Sequence, residues 1–390
     1  MKILVLHNAY RQRGGEDAVV EAEIALLRRA GHEVHLHQVS NQQIEGVGAR
    51  FGALARVAHN RHTARQVAHL VRETQAQIVH VHNFFPLLSP AVHGAARQAG
   101  AAVVQTLHNY RLLCANAMFL RDGKLCTDCL EGSRAVALMR RCYRGSLPGT
   151  ATVLAMQSAT RGDWRAQIDR FIVLTRFSRE VFAKAGLPAD RVFVKPNFVA
   201  RADIPAPGHR EGALFVGRLA PEKGVESLIA AWRSLPEIPL TVVGSGPLEV
   251  ALRRAAPGNV TFTGALPREA VLQRMARARL LVFPSIWYEG FPMTLVEAMA
   301  AGLPIVAARI GAAAEIVSPE FGALFTPGDA QDLADKVREV YGADPGRLSA
   351  AAQRQYALAY SDETNLALLE HCYTEALERR HGTSDQAVRP

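Results

Sequence analysis

The chain has 390 residues, 49% of them apolar and 21% charged, with 30 glycines and 20 prolines. These proportions exclude collagen, coiled coil and intrinsic disorder, and the length calls for two or three cores rather than one. No apolar run reaches the roughly 18 residues of a membrane span, and "MKILVLHNAYRQRGGED" turns polar too early for a secretory signal, so a cytoplasmic location is expected.

In chain order, "KILVLHN" (2–8) predicts a buried strand, followed by a loop carrying Gly14 and Gly15 and a helix ending at Gly31. Strands follow at 33–39, 77–83 and 101–109, with a basic amphipathic stretch at 50–73 and a helix around 90–99. A strand at 170–175, a helix from Arg176 and a strand-and-turn at 192–199 close this half. A Pro/Gly-rich stretch at 200–212 predicts a linker, after which apolar runs recur at 213–219, 240–246, 260–266, 279–285 and 304–310. Strand-helix alternation predicts parallel sheets with right-handed crossovers. The expected fold is therefore α/β: two Rossmann-like, doubly wound domains facing a cleft, at 1–200 and 201–360. A helix at 361–380 is expected to pack back on the N-terminal domain, and 381–390 to form a disordered tail.

Charge is uneven. Residues 1–200 hold 26 Lys/Arg against 14 Asp/Glu, and residues 201–390 hold 19 against 22. A basic half suggests an anionic partner, and the 50–73 stretch suits either an anionic membrane surface or an ordinary helix with one packed face. No helix-turn-helix or RNA-binding signature accompanies the charge, so no nucleic-acid partner is expected.

Ligands of open parallel sheets sit beyond the carboxyl ends of the strands, where the motifs fall. In "FVGRLAPEKG" (215–224), Arg218 and Lys223 lie on a strand-to-helix loop and suit a diphosphate, though such a pair is often only solvated surface. "VVGSGP" (242–247) has Gly244 in a Gly-x-Gly turn but lacks the full dinucleotide fingerprint, which argues against a nicotinamide dehydrogenase. Gly14 and Gly15 come too late for that turn, yet a glycine pair opening a helix can meet an anion. In "YEGFPMTLVEAMAAGLP" (288–304), Gly290, Phe291 and Pro292 lead into a helix near Met293, with Pro292 at its first position. The amides of Met293, Thr294 and Leu295 can hold phosphate oxygens, while Glu289 and Glu297 can accept from hydroxyls; the alternative is a capping acid and a solvated one. His108 ends the "TLHNY" strand and is either a core histidine or a group near the reacting sugar. Four cysteines, Cys114, Cys126, Cys129 and Cys142, bracket a Cys-x2-Cys core, consistent with a structural zinc or with buried thiols.

Taken together, in this order and spacing, the Gly14-Gly15 loop, His108, "GRLAPEKG", "VVGSGP", "VTFTGAL" and the Glu289/Glu297 pair resemble the family-4 retaining glycosyltransferases of the GT-B fold, of the bacterial surface-polysaccharide type. The resemblance implies that Arg218 and Lys223 bind the donor diphosphate, that Glu297 binds the ribose, and that Glu289 with the backbone of Gly290 to Met293 holds the transferred sugar. It places His108 near donor and acceptor, and backbone around Gly264 beside the base. The implied activity is hexosyl transfer from a nucleotide-diphosphate sugar to a lipid-linked or growing cell-surface glycan, as in lipopolysaccharide or exopolysaccharide biosynthesis, with peripheral contact at the cytoplasmic face of the inner membrane. No cofactor is required in this reading, and the chain has no Asp-x-Asp pair to hold a divalent ion on the diphosphate. The alternative is a non-catalytic nucleotide-sugar-binding or scaffold subunit with the same fold.

Overall fold

The computed structural model describes residues 1–10, 14–43, 56–201, 204–205 and 209–386. They form two compact units: Met1–Met118, Thr127–Pro196 and Leu366–Pro390 in the first, Phe119–Cys126 and Asn197–Asn365 in the second.

The first unit holds strands β1 (Lys2–Ala9), β2 (Glu33–Ser40), β3 (Ile78–Asn83) and β4 (Ala102–Leu107); a short hairpin, β5 (Leu120–Arg121) and β6 (Lys124–Leu125), belongs to the second unit, and β7 (Arg170–Val173) and β8 (Val192–Val194) complete the first sheet. Its order is β2-β1-β3-β4-β7-β8, with every pair parallel. Every residue of β3 and β4 is buried, as the near-continuous apolar runs of a sheet covered on both faces require. On one face the helix Gly15–Arg29 sets Val20, Ile24 and Leu27 against Ile3, Val5 and Val104, joined by Leu369, Cys372, Tyr373 and Ala376 of the helix Asp362–Gln386. That last helix runs past Arg380, where the sequence suggests a disordered tail; residues 387–390 lie outside those described.

The basic stretch contains the helix Arg61–Thr74, started by Asn60, whose side chain accepts from the amides of His62 and Thr63. Thr63, Val67 and Val71 are buried at four-residue spacing while Arg61, Arg65 and Arg72 are exposed, so one face packs and the other is solvated. Residues 50–55 lie outside those described.

The second unit contains β9 (Ala213–Val216), β10 (Leu240–Val243), β11 (Val260–Gly264), β12 (Leu280–Phe283), β13 (Ile305–Ala308) and β14 (Gly322–Phe325) in the order β11-β10-β9-β12-β13-β14, again all parallel. Successive residues of β12 feed opposite cores, Leu281 and Phe283 one and Leu280 and Val282 the other, which is why this run is apolar without alternation. Within the expected linker, Arg210 donates to the carbonyls of Met275 and Ala278 and is thus packed on the second unit; residues 202–203 and 206–208 lie outside those described. In each sheet the winding direction reverses once, beside β1 and β3 in the first and beside β9 and β12 in the second. Loops leaving the carboxyl ends of those strands are where a doubly wound sheet binds ligands. Among the described residues, no helix is long and apolar enough to cross a membrane.

Candidate functional site

At the reversal in the second sheet, the loop after β9 closes against the loop after β12. Gly224 makes this possible: at φ +66° it lies in the left-handed region, and a Cβ there would sit 1.9 Å from the carbonyl oxygen of Pro284. The amide of Ile286 donates to the carbonyl of Glu222 (3.0 Å), fixing the two loops together. Lys223 is thereby delivered to Glu289, its Nζ donating to Oε1 at 2.6 Å, with side-chain exposures of 22% and 13%. Ser285 Oγ donates to the same carboxylate oxygen at 2.7 Å. The ammonium also lies 5.5 Å from the Trp287 ring and 5.9 Å from that of Phe283, where aromatic faces attract a cation. Arg218, on the same loop, is exposed and has no ion-pair partner among the described residues.

The helix expected after the turn is Met293–Ala300. Pro292 is its N-cap residue (φ −81°, ψ 89°) rather than its first helical residue, and it supplies no side-chain cap. Leu295 N–H bonds back to the Pro292 carbonyl at 3.0 Å; among the described residues no acceptor meets the amides of Met293 and Thr294. Two unsatisfied donors at the positive end of a helix dipole thus follow directly on the turn that holds Glu289 and Gly290. Leu295 and Phe291, by contrast, turn their side chains into the core, Phe291 lying 6.1 Å from the Tyr360 ring. Glu297 pairs with Arg268 at 3.2 Å, not with the Lys223 cluster. What approaches Gly244 most closely is the chain itself: at φ +138°, a Cβ there would lie 1.9 Å from the Gly217 carbonyl oxygen, so this glycine seats the end of β10 on the β9 loop. Its amide donates to the Gly264 carbonyl at 2.9 Å, which ties in the end of β11.

In the first unit, Gly14 caps the helix Gly15–Arg29, but its amide already donates to Asp17 Oδ2 at 2.7 Å. Asp17 also accepts from His7 Nε2 at 2.8 Å, and Glu16 stands in the same first turn, so this helix start carries its own anions. Burial pushes the Glu16 carboxyl up to about 7 despite the hydrogen bond from Tyr10 (2.9 Å) and the nearby Arg111. The glycine pair is therefore a weaker anion site than the sequence suggests.

His108 follows β4 and is half-buried, its Nε2 2.9 Å from His82 Nδ1. Behind this pair lie Glu23, whose Oε2 is 3.5 Å from His82 Nε2, and Lys195, which donates to Glu23 Oε1. His80 is occupied elsewhere, with Nδ1 2.8 Å from the Tyr373 hydroxyl and Nε2 2.7 Å from Thr106 Oγ1. Sequence reasoning assigns no chemistry to His80 and His82 and misses Glu23 and Lys195. A signal is present, since Glu23 sits on the same apolar stripe as Val20, Ile24 and Leu27, where an acid needs a buried partner. Glu23, His80 and His82 are the one group among the described residues whose potential metal-ligand atoms all lie within 4.8 Å of one another. Lys195 already balances that carboxylate and both His80 nitrogens face hydroxyls, so a metal would have to displace these partners.

The cysteines are not gathered in the same way. Cys114, Cys129 and Cys142 of the first unit do not bring their sulfurs within 4.8 Å of one another as a set, and Cys126 is counted with the second unit. Cys114 is buried with its thiol donating to Asn116 Oδ1 at 2.9 Å, in the turn that sets its direction.

Anabaena HepE in complex with UDP superposes on the chain with a TM-score of 0.68 at 18% identity, covering 96% of this chain and 100% of that one. Two doubly wound parallel sheets with this likeness define the GT-B fold. Residues 13–202 match the Glycosyltransferase Family 4 model and residues 198–356 match the model Glycosyl transferases group 1. The two models together span residues 13–356, so each unit is similar to a glycosyltransferase domain. Over 130 residues the chain is 35% identical to a sulfoquinovosyl transferase of Arabidopsis thaliana, covering 32% of this chain and 25% of the relative. Over 177 residues it is 30% identical to O-antigen chain mannosyltransferase C of Escherichia coli, covering 43% and 47%. The chain thus spans from a quarter to about half the length of these curated relatives.

Proposed function

We propose that the protein transfers a hexose, with retention of anomeric configuration, from a nucleoside-diphosphate sugar to a lipid-linked or growing cell-surface glycan. The observation that carries this reading is the 2.6 Å contact between Lys223 and Glu289, which puts a cation and an acid next to the uncapped start of the helix Met293–Ala300. As the donor bond breaks, negative charge accumulates on the departing diphosphate. Lys223 and the amides of Met293 and Thr294 are fixed donors for that charge, and fixed donors cost no reorganisation when it develops, while the exposed Arg218 on the same loop adds a second cation. A diphosphate beside Lys223 competes with Glu289 for the ammonium and so releases the carboxylate to accept from hydroxyls of the transferred sugar. Glu297, at the same helix, takes the ribose in this proposal.

With Lys223 engaged on the diphosphate, Glu289 Oε1 still accepts from Ser285 at 2.7 Å, and a carboxylate that also meets sugar hydroxyls is a blunted nucleophile. This favours same-face attack by the acceptor, guided by the leaving phosphate, over a covalent intermediate on Glu289. With these groups meeting the charge, turnover needs no divalent ion. The relatives named for mannosyl and sulfoquinovosyl transfer, and the UDP bound to HepE, support a nucleotide-sugar donor. Contact with an anionic membrane belongs to the same proposal, through the exposed Arg61, Arg65 and Arg72.

The test is to incubate the purified protein with a panel of nucleotide sugars, with and without chelator, and to measure nucleoside diphosphate release. Selective release from one donor, unaffected by chelation, is expected. Binding of a donor with no release, in the presence of membrane glycan extracts, would point instead to a non-catalytic subunit.

A further inference from the structure

The buried line behind His108 draws on the helix Gly15–Arg29, strand β3 and the loops after β4 and β8, and each link constrains the next. Lys195 and Glu23 are almost fully enclosed, with side-chain exposures of 0% and 2%. Burial pushes the Glu23 carboxyl up, but the Lys195 ammonium that pairs with it outweighs this and holds the group below its ordinary value, hence charged. Its Oε2 is buried and accepts no hydrogen bond from the described residues. That oxygen faces His82 Nε2 at 3.5 Å, longer than a hydrogen bond but close enough to decide what the nitrogen carries. A lone pair pointed at a buried carboxylate is repelled, whereas an N–H is attracted.

We propose that Glu23 and His82 act as positioning residues that fix His108 as its Nε2–H tautomer, presenting Nδ1 to a substrate hydroxyl as a hydrogen-bond acceptor. A neutral imidazole carries one proton. Burial holds His82 neutral, reinforced by the Lys195 ammonium. With that proton on Nε2, the Nδ1 of His82 is an acceptor, and the His108 Nε2 lying 2.9 Å away must donate. Burial also pushes His108 down to about 3, Glu23 opposing and Lys195 and His7 adding to the shift, so its second nitrogen keeps a lone pair. No described residue meets that Nδ1. The reverse assignment, with His82 donating from Nδ1, would satisfy the His82–His108 contact equally well, and Glu23 is what tells the two apart. Other ionisable neighbours do not interfere: His7 is held by Asp17, and His80 by Tyr373 and Thr106.

The role at a substrate hydroxyl rests on the glycosyltransferase reading; the tautomer does not. Of the two functions an imidazole here could serve, it selects a neutral acceptor over a cation stabilising the leaving group. The test is two-bond 1H–15N correlation of ring-labelled histidines in the full chain at pH 6 to 8, with His82 and His108 assigned from the spectra of His82→Asn and His108→Asn variants. A proton on Nε2 and none on Nδ1 is expected for both residues. His108 protonated on Nδ1, or present as imidazolium, would overturn the proposal on the wild-type protein alone. In Glu23→Gln, whose amide can itself donate to His82 Nε2, the His108 nitrogens are expected to shift toward a mixed or inverted tautomer; an unchanged His108 pattern in a folded variant would remove Glu23 from the chain of cause. Because no readout uses turnover, a failed donor panel would refute the enzymatic reading and leave the tautomer assignment standing.

Discussion

Replacing Lys195 by Met strips the cation from Glu23 while roughly preserving side-chain volume. The carboxylate is then 2% exposed with no positive partner, and breaking one side of a buried pair costs about 3–5 kcal/mol. The pH dependence should reverse as well. In the wild-type fold Glu23 titrates below its unfolded value, so its stabilisation is present above the ordinary carboxylate range and is lost as pH falls through the folded value. In Lys195→Met burial acts unopposed and the folded value rises above the unfolded one. The variant therefore loses stability as pH climbs from about 4.3, by roughly 1.4 kcal/mol per pH unit, until the folded carboxyl ionises. Hydrogen exchange of amides in β1 and β3 reads the first unit separately from the second. At pH 7.5 the variant should exchange these amides through an opening cheaper by about 3–5 kcal/mol, and this deficit should narrow on acidification toward pH 5. A deficit below about 1 kcal/mol, or one that widens as pH falls, would refute a charged Glu23 held in the core by Lys195.

Lys223→Ala and Arg218→Ala should each lower donor cleavage by about a hundredfold with unchanged circular dichroism, the scale of losing one preorganised contact to developing charge; near-normal turnover in both would count against the diphosphate site. Gly224→Ala should destabilise the second unit by about 3 kcal/mol or more, since a left-handed residue gains a methyl 1.9 Å from a backbone oxygen, and a melt within a degree of wild type would contradict the loop geometry. Glu297→Gln is expected to raise the donor KM about tenfold, the ~1.4 kcal/mol scale of a charged hydrogen bond, while its Arg268 pair, half-exposed on the Arg side, adds under about 1 kcal/mol to stability. Equal KM values would remove Glu297 from the donor site.

Long apolar runs make most of the sheets legible: β1, β3, β4 and β12 are buried on both faces, so their sequences carry the pattern without interruption. β14 escapes detection because Gly322–Phe325 is four residues long and one of them is glycine, too little for periodicity to register. In the basic stretch the amphipathic spacing makes the helix Arg61–Thr74 legible, while the Asn60 capping contact that begins it is a matter of one side chain. At the site, Lys223 and Glu289 are readable because each sits in a loop with its own turn chemistry. Their direct contact is not, because it depends on how two loops 66 residues apart close on Gly224. The Lys195–Glu23–His82–His108 line is less accessible still, spread over 172 residues with no local motif. The glycines of "VVGSGP" read as a Gly-x-Gly turn short of the dinucleotide fingerprint, and the space at Gly244 is filled by the neighbouring strand's own loop.

The first sheet is complete at Val194, yet part of its covering comes from Leu369, Cys372, Tyr373 and Ala376, translated after the whole second unit. A nascent first unit leaving the ribosome must therefore wait, one face of its sheet only partly covered by the helix Gly15–Arg29 and the Tyr373 hydroxyl missing from His80, while some 170 intervening residues are made at about 5–20 per second. For those seconds its apolar face is a substrate for chaperones, and a ribosome stalled before residue 366 would release a product whose N-terminal half cannot finish folding.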